Sequence, residues 1–262
     1  MRFKLNLEVK ETGEQLPLNY QYGFSSWIYK TIHFGNPAFA DWLHSHGYMD
    51  GHKQFRLFTF SGCYPEKYEI KGDRMVLLSN NTLFYISFFT EEAAAPFITG
   101  LFSKQQFSIG DKISSAHFRV NSIEKLPDPQ WKETMSFYAQ SPVVISMKRE
   151  NNPGHAAYLS PDADNYGELL IKNLVNKYLA LISNRKGTEK MTFLSDSKTK
   201  FTFAGQPKSR LVKIKAGTKD ETSVKGYLFD FTITAPVELI KLGYYAGFGE
   251  KNSMGFGYAE II

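Results

Sequence analysis

The chain has 262 residues, enough for one large domain or two small ones, with 42% hydrophobic and 22% charged residues, the balance of a globular protein. No apolar run approaches the roughly 18–20 residues of a membrane span, and Cys63 is the only cysteine, which excludes an intrachain disulfide and argues against a cysteine-based zinc site. The net charge of +5 is modest, and the N-terminus alternates charged and apolar residues where an export signal would be uniformly apolar, so a cytoplasmic protein with no membrane contact is expected.

Residues 2–10 read as a strand, with Phe3, Leu5, Leu7 and Val9 on one face. Residues 20–46 read as helix in two pieces. Tyr22, Trp27, Ile28 and Ile32 lie near helical spacing, Gly35-Asn36-Pro37 interrupts, and Pro37 opens a second short helix. A glycine-rich turn at 47–51 leads into a strand at 54–62. Residues 74–90 predict a hairpin turning at Ser79-Asn80-Asn81. A helix follows over 91–104, with Thr90 as N-cap and Glu91 and Glu92 in its first turn, and residues 107–126 return to strand.

A polar stretch holding Pro127, Pro129 and Trp131 marks a boundary, giving units 1–135 and 136–262. Residues 141–149 (SPVVISMKR) open the second unit. Residues 164–184 form the clearest helix, where Leu169, Leu170, Leu174, Val175, Tyr178 and Leu181 make a broad apolar stripe. Strands at 200–205, 210–217 and 227–235 follow, then a helix opened by Pro236 and a last strand over 255–262. The order strand, helix, strands, helix, strand thus occurs twice. It predicts an α+β protein of two tandem ferredoxin-like (RRM-like, β-α-β-β-α-β) domains, each with its helices on one face of a sheet.

The charge is unevenly spread. Residues 1–140 hold 14 Lys and Arg against 14 Asp and Glu, whereas Lys177–Lys215 holds ten basic residues against Glu189 and Asp196. Such a stretch is either a solvated face or a polyanion surface. Arg185, Lys186, Lys208 and Arg210 are its candidate phosphate contacts. A second candidate lies near the C-terminus, where GFGEKNSMGFG places Gly247, Gly249, Gly255 and Gly257 around Lys251, Asn252 and Ser253. Glycines permit positive φ and close backbone approach, and successive amides can cradle phosphate oxygens. A Rossmann reading fails because a helix precedes the motif and a strand follows, and the GK[ST] of a P-loop is missing.

GFGEKNSMGFG resembles the C-terminal glycine-rich loop of the RAMP superfamily, and most closely that of the CRISPR-associated endoribonucleases that process repeat transcripts, the sixth-numbered Cas family. The opening MRFKL, the segment NYQYGFSSWIYKTI and the junction LPDPQ…SPVVI extend the resemblance over most of the chain. It implies tandem ferredoxin-like domains, an RNA-binding role for the glycine-rich loop, and a single cut in the repeats of precursor CRISPR RNA. The alternative is a catalytically inactive RNA-binding subunit of a CRISPR interference complex.

RNA is cleaved without a metal when its own 2′-hydroxyl attacks the phosphorus, given a base, an acid and a cation. Four of six histidines, His33, His44, His46 and His52, fall within 20 residues, and histidine suits either proton role. The resemblance orders them. The segment IYKTIHFGNPAFADWLHSHGYMDGHKQF is similar to the family's active-site stretch, and Tyr29, His44 and Lys53 match its pattern. By that match His44 is general base or acid, Tyr29 positions the ribose or assists proton transfer, and Lys53 stabilises the phosphorane. His46 and His52 flank these positions and remain open as alternatives. A metallonuclease using His44, His46, Asp41 and Asp50 is the poorer reading, since His44 and His46 at i, i+2 close a helix and point apart, and no metal or cofactor is expected. The implied products carry a 2′,3′-cyclic phosphate and a 5′-hydroxyl. The implied partners are CRISPR repeat RNA and subunits of an interference complex, and the reading allows a homodimer.

Overall fold

The computed structural model describes residues 1–149, 152–183 and 199–262, so Arg185 and Lys186 lie outside the described residues. The N-terminal unit begins with β1 (Arg2–Val9), the short β2 (Gln15–Pro17), α1 (Gln21–Gly35) and α2 (Pro37–Ser45). The two helices meet at Asn36, whose extended backbone ends the first and whose side chain accepts from the Phe39 amide at 3.0 Å to cap the second, with Pro37 in the first turn. Next come β3 (Tyr48–Asp50), β4 (Lys53–Phe55), β5 (Phe58–Pro65), β6 (Tyr68–Lys71), β7 (Arg74–Leu77) and β8 (Asn81–Phe88). The unit closes with α3 (Glu91–Ser103), β9 (Gln106–Gly110) and β10 (Ser115–Lys125).

β5, β8, β1, β10 and β9 form one antiparallel sheet in that order. Its first four strands have the spatial order of a ferredoxin-like unit. Alternation buries Phe3, Leu5 and Leu7 against Phe84 and Ile86 on the helical side. The helices α1 and α3 cross closely there, because a Cβ at Gly100 would strike the Thr31 carbonyl and one at Gly35 the Pro96 carbonyl.

The C-terminal unit repeats the plan. It contains β11 (Thr134–Ala139), β12 (Ser146–Arg149), β13 (Asn152–Tyr158), α4 (Tyr166–Ser183), β14 (Lys200–Ile214), β15 (Thr222–Thr234), α5 (Val237–Ala246) and β16 (Ala259–Ile261). Its sheet runs β14, β15, β11, β16, the same order. The fold is therefore α+β and built from tandem ferredoxin-like units. Ala180 and Leu181 of α4 and Leu242 and Ala246 of α5 pack into the N-terminal core, so the helices join the two units.

Several expected elements differ from those observed. The second unit opens with β11, which crosses the junction expected after residue 135. Residues 141–145 are not its first strand: Val143 and Ile145 point into the C-terminal core, Val144 points into a small cluster with Val212, Ile214, Val224 and Phe256, and β12 pairs only with β13. The hairpin expected over 74–90 does not form. β7 pairs with β2 and β6 in a separate sheet, where Arg74, Met75, Val76 and Leu77 are buried on both faces. The strand expected over 54–62 breaks at Leu57, whose φ of 50° is left-handed. The segments 200–205 and 210–217 become one long strand with a register shift between Ala204 and Lys208. Of the strand expected over 255–262, only Ala259–Ile261 pairs. Thr90 stands at the α3 N-cap, yet its hydroxyl meets the Tyr48 hydroxyl at 3.0 Å instead of capping the helix.

Candidate active site

Tyr29 projects from α1 toward β5 and is half-buried, with its ring 5.6 Å from that of Phe58. His44 sits in the last turn of α2, and its ring meets Tyr29 edge to face at 5.6 Å and 84°. The Asn36 corner between the helices makes this meeting possible. Arg56, immediately before the left-handed Leu57, donates to the carbonyls of His44 (2.6 Å) and His46 (3.2 Å) and to Gln54 Oε1 (3.2 Å). It thereby ties the end of α2 to the β4 strand. Burial raises the Tyr29 hydroxyl above its ordinary pKa, and hydrogen bonding with Ser253 and the Arg56 cation oppose this. Tyr29 is therefore an O–H donor at neutral pH and not a base.

The other three clustered histidines are placed elsewhere. His33 faces Asp41 at 3.9 Å, His46 Nδ1 shares a hydrogen bond with Ser45 Oγ at 2.8 Å, and His52 occupies the turn between β3 and β4. Among the described residues no three His, Cys, Asp or Glu side chains gather as a metal-ligand cluster. Lys53 opens β4 and is exposed. It lines a cleft of about 650 Å³ together with Arg56 and Phe58, and with Lys148, Lys251 and Ser253 from the other unit; Tyr29 and His44 are not in this lining, and Tyr29 adjoins it through the Phe58 ring.

The glycine-rich loop forms the far wall. All four glycines have positive φ: 91° at Gly247, 69° at Gly249, 85° at Gly255 and 73° at Gly257. All four are buried, and the protein itself fills the space a Cβ would need: Asn252 Nδ2 lies 2.5 Å from that position at Gly247, and the Phe60 ring 2.6 Å from it at Gly255. Phe248 and Phe256, between the glycines of each triplet, are fully buried anchors. The glycine count is thus required by packing, where the sequence had suggested close approach of a ligand. The amides of Phe248, Glu250, Met254, Gly255 and Gly257 already donate to protein carbonyls, so they cannot cradle a phosphate. Asn252 is also turned inward. It is 8% exposed and donates to the Phe248 and Phe256 carbonyls at 3.0 Å each, which removes it from the surface expected of it. The loop side chains that line the cleft are Lys251, exposed and left-handed at φ 58°, half-exposed Ser253, half-buried Glu250 and the edge of the inward-turned Asn252.

Lys177 on α4 is 2% exposed and donates to the carbonyls of Gly247 (2.6 Å) and Gly249 (2.8 Å). Burial lowers its ammonium to about 7, against the opposing pull of Glu250. Glu250 in turn accepts from the Ser146 amide at 3.1 Å and hydroxyl at 2.8 Å. Lys208 and Arg210 are exposed on β14, opposite Leu228 and Gly226, and do not line the cleft. Sequence reasoning missed Arg56 and Lys148, and it counted Lys177 in a basic surface that this residue, being buried on the loop carbonyls, does not join. Lys177 carried one signal, a lone lysine within an apolar helical stripe, and the other two carried none.

A tandem of ferredoxin-like units, with a glycine-rich loop closing a cation-lined cleft between them, defines a two-unit α+β protein built to receive a polyanion. Family models divide it in the same way. Residues 15–124 match the family described as CRISPR-associated protein Cas6, N-terminal, and residues 125–261 the one described as CRISPR associated protein Cas6, C-terminal. The chain is 31% identical over 259 residues to the CRISPR-associated endoribonuclease Cas6 1 of Methanocaldococcus jannaschii, covering 98% of this chain and 91% of that protein. It is 28% identical over 265 residues to the CRISPR-associated endoribonuclease Cas6 of Pyrococcus furiosus, covering 100% and 90%. Among solved structures it resembles the product of a Cas6-related gene from Pyrococcus furiosus, with TM-score 0.82, 25% identity and coverage of 100% and 98%. The chain belongs to the Cas6 family and is a CRISPR-associated endoribonuclease. No helix among the described residues is long and apolar enough to cross a membrane.

Proposed function

We propose that this endoribonuclease binds CRISPR repeat RNA in the cleft and cuts it once, without a metal, at the Tyr29–His44 corner. The observation that carries this reading is the meeting of Tyr29 and His44 beside Arg56, which grips the His44 carbonyl and lines the cleft together with Lys53. In the reaction the 2′-oxygen forms a bond to phosphorus while the bond from phosphorus to the 5′-oxygen breaks. The 2′-hydroxyl gives up its proton and the leaving 5′-oxygen takes one, so the products are a 2′,3′-cyclic phosphate and a 5′-hydroxyl. His44 performs one of these transfers. Lys53 and Arg56 supply positive charge where the phosphorane gathers negative charge. Tyr29, kept protonated by burial, donates to the ribose or a phosphate oxygen. In this reading the N-terminal unit holds the catalytic side chains, and the C-terminal unit contributes Lys251, Ser253 and the exposed Lys208 and Arg210.

Lys251 is placed to pair with a phosphate. Lys251→Ala is expected to weaken repeat-RNA binding several-fold and to lower the slope of log affinity against log salt by roughly 0.7, one single-strand phosphate contact. An unchanged slope in a filter-binding titration would remove Lys251 from the RNA path.

The reaction itself is tested by incubating the protein with labelled repeat RNA in excess EDTA, beside a substrate with a 2′-deoxy sugar at the cut. One cut in EDTA, abolished by the deoxy sugar and leaving a cyclic phosphate, is the expected result. Cleavage that requires added divalent metal would refute the mechanism. Tight binding with no cut would place this chain with catalytically silent RNA-binding proteins.

A further inference from the structure

We propose that Lys177 is a positioning residue for the cleft, holding the glycine-rich loop so that Lys251 and Ser253 face the RNA and Tyr29. The inference rests on the reading of the cleft given above. Lys177 lies on the apolar side of α4, whose buried neighbours are Leu170, Leu174, Ala180 and Leu181. Packing alone would be served by leucine or methionine there. A buried ammonium is costly, and its lowered pKa is the sign of that cost. What it gains is two carbonyls of the loop, Gly247 and Gly249, both drawn toward α4.

Each of these carbonyls shares a trans peptide unit with the next residue's amide, which therefore points the opposite way. The Phe248 amide donates to Gly257 at 2.8 Å and the Glu250 amide to Val144 at 2.8 Å. The strip 247–250 is thus fastened on both edges, with Lys177 as the fastening from α4. The strip fixes where the chain emerges at Lys251. Two residues on, the loop is fastened to the other unit: Ser25 Oγ of α1 donates to the Ser253 carbonyl at 2.7 Å. The loop that Lys177 holds is therefore also tied to α1, the helix that carries the candidate catalytic tyrosine. Lys177 touches no reacting atom in this scheme and acts through the loop.

The test compares the full-length wild type with Lys177→Met, Lys177→Arg and, as a control, Lys172→Met at an exposed lysine of the same helix. Four quantities are read: melting temperature, hydrogen exchange of the 247–257 amides without RNA, repeat-RNA affinity, and single-turnover cleavage at saturating protein. Lys177→Met is expected to melt at or above the wild-type temperature, because it removes a buried charge. Its loop amides are expected to exchange about tenfold faster. Its cleavage is expected to slow by about 10–100-fold, the scale on which small misplacement acts, with affinity changed far less. Lys177→Arg restores part of the exchange protection and rate, and Lys172→Met changes nothing. Unaltered loop exchange in Lys177→Met overturns the proposal. So does a fall in melting temperature with faster exchange throughout α4 and both cores, which would mark Lys177 as a packing residue. Should the wild type fail to cut the RNA, the catalytic reading falls, while loop exchange and affinity still decide whether Lys177 holds the loop.

Discussion

Replacing His44 with alanine is expected to slow single-turnover cleavage by about 10²–10⁴-fold, the usual worth of a general acid or base, with repeat-RNA affinity changed no more than a few-fold. The imidazole is exposed and packs edge-on against Tyr29, so its removal opens no core cavity. The backbone of residue 44 stays where it is, because Arg56 holds it through the carbonyl, which alanine also has. The α2 helix keeps its Asn36 cap and Pro37 start. Rate and binding should therefore separate. The contrast lies in the neighbours: His46→Ala loses only a hydrogen bond with Ser45, and His52→Ala trims an exposed turn, so both are expected to cut within a few-fold of wild type. If His46→Ala or His52→Ala shows the large loss and His44→Ala does not, the assignment moves to that residue. Equal loss of rate and affinity in His44→Ala would make it a structural contact.

The second large effect is on stability. Arg2→Ala is expected to cost about 3 kcal/mol, the low end for removing one partner of a buried ion pair, because the Glu260 side chain is 34% exposed while Arg2 is buried. Arg2 is 1% exposed, at the start of β1 in the first unit. Its guanidinium donates to Glu260 Oε2 at 2.9 Å, the Tyr244 carbonyl at 2.7 Å and the Ala259 carbonyl at 3.0 Å. It also lies 3.5 Å from the centre of the Tyr244 ring and 4.2 Å from that of Tyr258. One planar cation thus joins the first strand of the chain to α5 and to the last strand. Truncation strips Glu260 of its cation, leaves two carbonyls without their donor, and opens a slot between two aromatic rings. Arg2→Lys is expected to recover little, since an ammonium neither stacks between rings nor reaches three acceptors in one plane. Urea unfolding followed by tyrosine and tryptophan fluorescence measures this. A loss below about 1 kcal/mol would show that the helices α4 and α5 hold the units together unaided.

Much of the fold was legible in the sequence, for a local reason. Period-two alternation in β1 and β15, the apolar stripe of α4, and the Asn36-Pro37 and Pro236 helix starts are written over neighbouring residues, and they gave the repeated strand and helix order. The errors fell where pairing is long-range. Arg74–Leu77 has the pattern of a hairpin arm, but its partner strands are chosen by packing. The buried run Val143-Val144-Ile145 reads as a strand, yet its side chains are divided between two clusters.

The candidate site divides the same way. That Tyr29, His44 and Lys53 share one helix–helix–turn segment, and that a glycine-rich loop carries Lys251 and Ser253 ahead of the last strand, could be read from residue type and spacing, which are local properties. That His44 meets Tyr29, where His46 bonds Ser45 and His52 sits in a turn, became visible in the packed molecule, since it depends on the angle at Asn36 and on Arg56 gripping the end of α2. The tertiary structure alone turned Asn252 inward and brought Lys177, 70 residues before Gly247, beneath the loop. A polar side chain's partner is fixed by where distant backbone carbonyls fall, and no spacing along the chain encodes that.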